Sequence, residues 1–109
     1  MPGNADRAVE VFSEGYNCAQ SVLASCGQPF GLDRKLALRV AQAFGGGMGL
    51  MGLTCGAVTG ALMVIGLKHA KVDQQSDPEK QKAYQLVREF VAMFKQRNGS
   101  IGAPLLDRD

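Results

Sequence analysis

Apolar side chains recur along this chain three and four residues apart, the spacing of one face of an α-helix, and almost nowhere at the two-residue spacing of a strand. The pattern predicts about five helices joined by short connections. The predicted inward faces of the first three helices and of the last are Ala5, Ala8, Val9 and Phe12; Ala19, Val22, Leu23 and Cys26; Leu36, Val40, Ala43 and Phe44; and Ala83, Leu86, Val87, Phe90 and Phe94. We therefore predict an all-α fold, a compact helical bundle.

Residues that cap helix N-termini place the starts of these helices. Asn17 followed three residues later by Gln20 is typical of a capping box at the start of the second helix. Asp33 is predicted to cap the third helix and Thr54 the fourth. The fifth helix is predicted to start at Ser76-Asp77-Pro78-Glu79, after a polar linker.

A segment without charged residues, 44–67, lies in the middle of the chain and has the length of a membrane span. Six glycines fall between Gly45 and Gly56, so its first half is predicted to be an apolar and very flexible loop. The remaining helix, 54–67, has about fourteen positions, fewer than the ~20 that a span requires. We expect no membrane insertion and predict that this glycine-rich helix is the centre of the bundle, enclosed by its neighbours or by a second subunit.

Glycines before that helix match the G-x-G-x-x-G pattern of dinucleotide-binding proteins, as Gly47-Met48-Gly49-Leu50-Met51-Gly52. The fingerprint requires a strand before the glycines, whereas a helix is predicted there, so the pattern alone does not assign a nucleotide site. A weaker hypothesis is that a small ligand or anion binds at the start of the fourth helix through backbone N–H groups. Its candidate cofactor-binding residues are Gly47, Gly49, Thr54 and Gly56.

Length and composition narrow the classes of function. The chain has 109 residues, and we predict one helical domain over 1–109 with a short tail from about residue 99. A net charge of +2, with Lys and Arg interleaved with Asp and Glu, gives no argument for nucleic-acid binding. The first residues lack the apolar run of a secretory signal, and three cysteines do not make a disulfide framework. The expected location is the reducing cytoplasm.

The candidate chemistry lies in the cysteines. Cys26 falls on the apolar face of its helix, where a cysteine behaves as a small hydrophobic residue. If Asn17 and Thr54 are caps, Cys18 and Cys55 each occupy the first position of a helix. The unpaired N–H groups and the positive end of the helix dipole favour a thiolate there, the form that acts as nucleophile or metal ligand. Cys18 and Cys55 are therefore the candidate catalytic and metal-ligating residues.

Three segments also carry a resemblance to a known family. They read Gly-Tyr-Asn-Cys-Ala-Gln-Ser-Val-Leu at 15–23, Ala-Phe-Gly-Gly-Gly-Met-Gly at 43–49 and Thr-Cys-Gly-Ala-Val-Thr-Gly-Ala-Leu at 54–62. With Gly99-Ser100-Ile101 and the later Leu105-Leu106, they resemble the C_GCAxxG_C_C family of proposed redox-active proteins, over about residues 5–106. The resemblance implies a small helical bundle with its cysteines gathered at one end.

The same resemblance implies a redox or iron–sulfur role. The family's domain is similar to one associated with a cluster in a multihaem cytochrome, the split-Soret cytochrome c. By this resemblance Cys18 and Cys55 stand where the family has its first two cysteines, whereas Ala103 stands where the third is expected. Iron–sulfur clusters usually require four thiolates. One chain supplies only Cys18 and Cys55 unless Cys26 joins them.

Three alternatives follow: a dithiol–disulfide switch, a metal or iron–sulfur site shared across a homodimer, or a family member that has kept the fold and lost the chemistry. The leading hypothesis is a redox or metal-binding accessory protein with a redox partner protein. The alternative is a non-catalytic homodimeric interaction module. It would be built on the helix that carries Gly56-x-x-x-Gly60, with the apolar loop 49–53 as a contact surface.

Overall fold

The computed structural model describes residues 2–70 and 77–102. Over these ranges the chain forms five α-helices, which confirms the predicted all-α bundle. They are α1 (Pro2–Ser13), α2 (Cys18–Gly27), α3 (Arg34–Ala41), α4 (Gly56–His69) and α5 (Asp77–Asn98). Single turns of 3-10 helix, Gln28–Phe30 and Gln42–Phe44, extend α2 and α3. The predicted linker through Ser76 and the tail that contains Ala103, Leu105 and Leu106 lie outside the described residues.

The centre of the bundle is α2, because α1, α3 and α4 all pack on it, while α5 packs on α4. The core cluster joins α2 to α3 and consists of Ala19, Leu23, Ala24, Ala37 and Ala41. The glycine-rich helix α4 packs against α2 and α5 and is buried at Gly56, Val58, Thr59 and Gly60. Its second half is half-buried or exposed in the single chain. Small side chains on α2 allow three helices to approach its axis at once.

Buried polar side chains on α2 explain why the hydrophobic pattern did not reveal its central position. Gln20 and Ser21 are buried beside the apolar residues of the helix. The Gln20 Nε2 atom donates to the Leu38 carbonyl oxygen at 2.8 Å, and the Ser21 hydroxyl donates to the Asn17 carbonyl oxygen at 2.8 Å. These bonds offset the desolvation of the polar groups, so a helix with a mixed sequence can be buried on most sides.

Gly56 and Gly60 form the close contact between α4 and α2, as their spacing predicts. A Cβ atom at Gly56 would lie 2.7 Å from the Ala19 backbone nitrogen, and one at Gly60 would lie 2.9 Å from the Val22 Cβ atom. Both glycines are buried in this contact within the chain. The face of α4 that carries these two glycines is therefore covered by α2 within the chain.

The apolar faces of α1 and α3 are oriented differently from the prediction. Val11 is the buried residue of α1, whereas Val9 and Phe12 are exposed. On α3 the buried residues are Ala37 and Ala41, and the predicted inward residues Leu36, Val40 and Ala43 are exposed. Alanine permits the close approach that the α2 surface requires, so the larger side chains point away from it. Phe44 is half-buried against the core, as predicted.

The loop that was predicted to be very flexible has a compact, hydrogen-bonded conformation. Residues 46 to 50 all have φ between +61° and +74°, which makes a left-handed turn. Every N–H group from Met48 to Leu53 donates to a backbone carbonyl oxygen within residues 43–48. Met48 and Leu50 are not glycine, and the left-handed conformation costs roughly 1–2 kcal/mol at each. No helix in the described ranges is long and apolar enough to cross a membrane.

Candidate functional site

The start of α2 places Cys18 as the sequence predicts. The Asn17 Oδ1 atom accepts a hydrogen bond from the Gln20 N–H at 2.9 Å, and the Gln20 Oε1 atom accepts one from the Asn17 N–H at 3.0 Å. This is the predicted capping box, and it fixes the first turn of the helix. Cys18 is the first residue of α2, and its side chain is half-buried.

The start of α4 differs from the prediction by one residue. Cys55 rather than Thr54 is the N-cap, with φ −57° and ψ 138°, and no side chain caps the helix. Thr54 instead pairs with Gly102 in an isolated antiparallel bridge, and the Cys55 N–H donates to the Ile101 carbonyl oxygen at 2.6 Å. The bridge holds Thr54 in an extended conformation outside the helix, so its predicted role as a cap is wrong.

The starts of α2 and α4 are in direct contact. A Cβ atom at Gly56 would lie 3.3 Å from the Cys18 Cβ atom, and Gly56 directly follows Cys55 in the chain. Cys55 is a half-buried free thiol. The two helix N-termini that carry the predicted site residues therefore meet at one end of the bundle, and the absence of a side chain at Gly56 is what permits the approach.

The left-handed loop packs beside this contact. The Asn17 Nδ2 atom donates to the Gln42 carbonyl oxygen at 3.0 Å, and a Cβ atom at Gly45 would collide with the Asn17 side chain. The N–H group of Gly49, which the anion-binding hypothesis would use, donates instead to the Ala43 carbonyl oxygen at 2.7 Å. The carbonyl oxygen of Gly47 accepts from Leu53 at 2.9 Å. The loop thus uses its N–H groups from Met48 onwards to close its own turn.

Cys26 lies away from this contact, at the other end of α2. Eight residues separate it from Cys18, which corresponds to about 12 Å along a helix axis. Cys26 lines a cleft of about 640 Å³ between α2, α4 and α5, together with residues such as Val64 and Phe90. Burial raises the pKa of the Cys26 thiol, which keeps it protonated. Cys26 therefore does not join the cysteines at the helix starts.

Among the described residues, the end of the bundle that carries the two helix starts offers two cysteine thiols, fewer than the four that an iron–sulfur cluster usually requires. Within residues 2–70 and 77–102, no group of three or more His, Cys, Asp or Glu side chains is placed to hold a metal ion. Thiolate ligands from one chain are limited to Cys18 and Cys55 at this end of the bundle. Ala103, at the position of the family's third cysteine, lies outside the described residues.

Two features lie beside Cys55, and the sequence predicts only the second. One is the segment that ends at Gly102, in which the Ser100 hydroxyl oxygen accepts from the Gly102 N–H at 2.8 Å. The sequence around Thr54 does not indicate this contact, because 48 positions separate Thr54 from Gly102. The other is a group of exposed apolar side chains directly before Thr54, namely Leu50, Met51 and Leu53. Their apolar character is visible in the sequence, whereas the hydrogen-bonded conformation of their backbone is not.

The comparisons with known proteins bear on the same residues. A scan against protein families matches residues 16–104 to the family described as "Putative redox-active protein (C_GCAxxG_C_C)". A search of curated proteins found no match, and a search of solved structures found none. The matched region covers most of the 109 residues and contains both helix starts and the bridge to Gly102. The chain therefore belongs to the C_GCAxxG_C_C family, which is described as redox-active.

Proposed function

We propose that this chain is a thiol redox protein in which Cys18 and Cys55 alternate between a dithiol and an intramolecular disulfide. The observation that carries the proposal is the contact of the two helix starts, where Gly56 packs on Cys18 and Ala19. Membership of a family described as redox-active supports it. The capping box on one side and the bridge to Gly102 on the other hold the two cysteines at the same end of the bundle.

The proposed reaction is thiol–disulfide exchange with a protein or small-molecule disulfide as oxidant. The Cys55 sulfur, deprotonated, attacks one sulfur of that disulfide and releases the other as a thiolate, which leaves a mixed disulfide on Cys55. The Cys18 sulfur then displaces the second partner sulfur and forms the Cys18–Cys55 bond. In sum the protein dithiol loses two electrons and two protons, and the partner disulfide becomes two thiols.

The starting geometry favours attack by Cys55 over attack by Cys18 in this proposal. Cys55 precedes the helix as its N-cap and is followed by a glycine, so no side chain of the next residue stands beside its backbone. Cys18 lies inside the first turn of α2, against Gly56. A disulfide between them requires Cα atoms within ~7 Å.

The test is to oxidise the purified protein in glutathione or dithiothreitol redox buffers and map its disulfides by peptide mass spectrometry. We expect one intramolecular disulfide between Cys18 and Cys55 in the unmodified chain and in the matched control Cys26→Ser. Cys18→Ser is expected to stop at a mixed disulfide on Cys55. Oxidation that never joins Cys18 to Cys55, or that depends on Cys26, would contradict the proposal.

A metal or iron–sulfur centre is an alternative that also fits the description of the family as redox-active. Since one chain offers two thiolates at this end, a complete set of four requires Cys18 and Cys55 from two copies. Iron and sulfide content after anaerobic purification separates this alternative from the dithiol. Stoichiometric iron that is lost in both Cys18→Ser and Cys55→Ser would favour the shared centre over the disulfide switch.

A further inference from the structure

The apolar core of the single chain is small compared with the apolar surface that the chain leaves exposed. Seven apolar residues are buried in the described part, and four of them are alanine. Eleven large hydrophobic side chains are exposed in the same part. The largest side chains that are fully buried in the described part are Leu23 and Val58. Such an imbalance is typical of a chain that buries a further apolar surface against a partner.

Two of the exposed groups form continuous helix faces. On α1, Val9 is 66% exposed and Phe12 is 56% exposed. Val9 lies on the side of the helix away from the buried Val11, and Phe12 lies between the two. On α3, Leu36 is 47% exposed and Val40 is 49% exposed. They lie roughly 100° around the helix from the buried Ala37 and Ala41. These are faces that the hydrophobic periodicity predicts to be buried.

The charges beside the two faces have opposite signs. Asp6 lies three residues before Val9 and shares its face of α1, while Arg7 lies on the side of Val11. Lys35 and Arg39 flank Leu36 and Val40 on α3. An acidic α1 face cannot cover another α1 face without repulsion, but it matches the basic α3 face of a second copy.

The α3 face also borders an apolar groove. The groove has a volume of about 430 Å³, lies between α3 and α4, and includes Val40, Leu32, Met63 and Leu67 in its lining. It has room for an aromatic side chain, and all of its lining residues are apolar or glycine. Phe12 on α1 is an exposed aromatic residue of suitable size.

We propose that the chain forms a homodimer in which α1 of one copy packs on α3 of the second copy. The Phe12 side chain enters the groove between α3 and α4 of the other copy, and Asp6 lies beside its Lys35 and Arg39. When each copy contributes both faces, the two contacts are equivalent and the assembly closes as a two-fold dimer. The dimer does not depend on the thiol chemistry, because neither cysteine at the helix starts lies on these faces.

Charge reversal tests this arrangement without touching the core. Light scattering after size exclusion, under reducing conditions, is expected to give twice the 11.6 kDa mass for the unmodified chain. Asp6→Lys and Arg39→Glu are each expected to weaken dimerisation about tenfold or more, because like charges then face each other. The control Lys82→Glu, an exposed position on α5, is expected to leave the dimer intact.

An equimolar mixture of Asp6→Lys and Arg39→Glu is the decisive sample. In the mixed dimer, reversed α1 meets reversed α3 at one contact and the native charges meet at the other, so dimerisation is expected to return. A monomeric unmodified chain would overturn the proposal. A dimer that neither reversal weakens, or variants that fail to recover on mixing while circular dichroism shows that both are folded, would overturn it as well. Cys18→Ser and Cys55→Ser are expected to remain dimeric, which separates this test from that of the thiol function.

Discussion

The starts of α2 and α4 carry the two candidate cysteines, but they are built in different ways. The start of α2 is held by a capping box between Asn17 and Gln20, which are neighbours in the sequence. The start of α4 has no side-chain cap and is held by the distant Ile101 and Gly102. A locally determined helix start can be predicted from its own residues, whereas one fixed by a non-local bridge cannot.

The largest expected effect comes from separating the two starts. Gly56→Ala places a Cβ atom 2.7 Å from the Ala19 backbone nitrogen, which cannot move without shifting α2. We expect a loss of ~1–3 kcal/mol in the free energy of unfolding, measured by chemical denaturation. Gly66→Ala in the same helix is the matched control, since a Cβ atom there meets nothing within 4 Å. That control should gain up to ~1 kcal/mol from helix propensity.

The next largest effect is expected when the two predicted caps, Asn17 and Thr54, are each replaced by alanine. Asn17→Ala removes the bond to the Gln20 N–H and the bond to the Gln42 carbonyl oxygen, so we expect a loss of ~1–2 kcal/mol. Thr54→Ala is expected to change the free energy of unfolding by less than ~0.5 kcal/mol, because Thr54 does not cap α4. Equal losses in the two variants would show that Thr54 caps α4 in solution.

Much of the fold follows from the sequence, and the errors have physical causes. Helix number, the capping box and a close helix contact at Gly56 and Gly60 follow from patterns within single segments, and all three were predicted. That α2 is the partner in this contact was not predicted, because Ala19 and Val22 are distant in the sequence. The orientation of α1 and α3 depends on which side chains fit against α2, so periodicity alone pointed to Val9 and Leu36 instead of Val11 and Ala37. Tertiary packing decides which of two apolar faces of a helix is buried within the chain. The other face stays exposed and can be covered by a partner.

The candidate site shows the same division. Cys18 was placed correctly because its cap is local, while Cys55 was displaced by one position because Thr54 is taken up by the bridge to Gly102. The pairing of the two cysteines at one end came only from the family resemblance. The contact of Gly56 with Cys18 gives that pairing a structural basis.

A smaller effect tests whether the bridge to Gly102 holds the start of α4. Ser100→Ala removes the acceptor of the Gly102 N–H, and we expect a loss of ~0.5–1 kcal/mol. Amide hydrogen exchange should report it locally: exchange of the Cys55 N–H, which donates to Ile101, should become faster. Exchange of the Gln20 N–H at the start of α2 should stay unchanged. Equal acceleration at both amides would show that the two starts are not held independently.

The smallest effect extends the comparison to the third cysteine, at the far end of α2. Burial raises the pKa of Cys26 above its ordinary value, so the folded state disfavours its thiolate. The stabilising contribution of the protonated thiol is complete below the pKa of the unfolded chain and is lost as the pH rises through the folded pKa. The unmodified chain should therefore lose more stability than Cys26→Ala between neutral pH and about pH 10. Denaturation curves at both pH values measure this difference, in which the titration of lysines and tyrosines cancels. Equal losses of stability in the two proteins would mean that the Cys26 thiol is solvated in the same way in the folded and unfolded chain. The two ends of α2 would then not differ in the burial of their thiols.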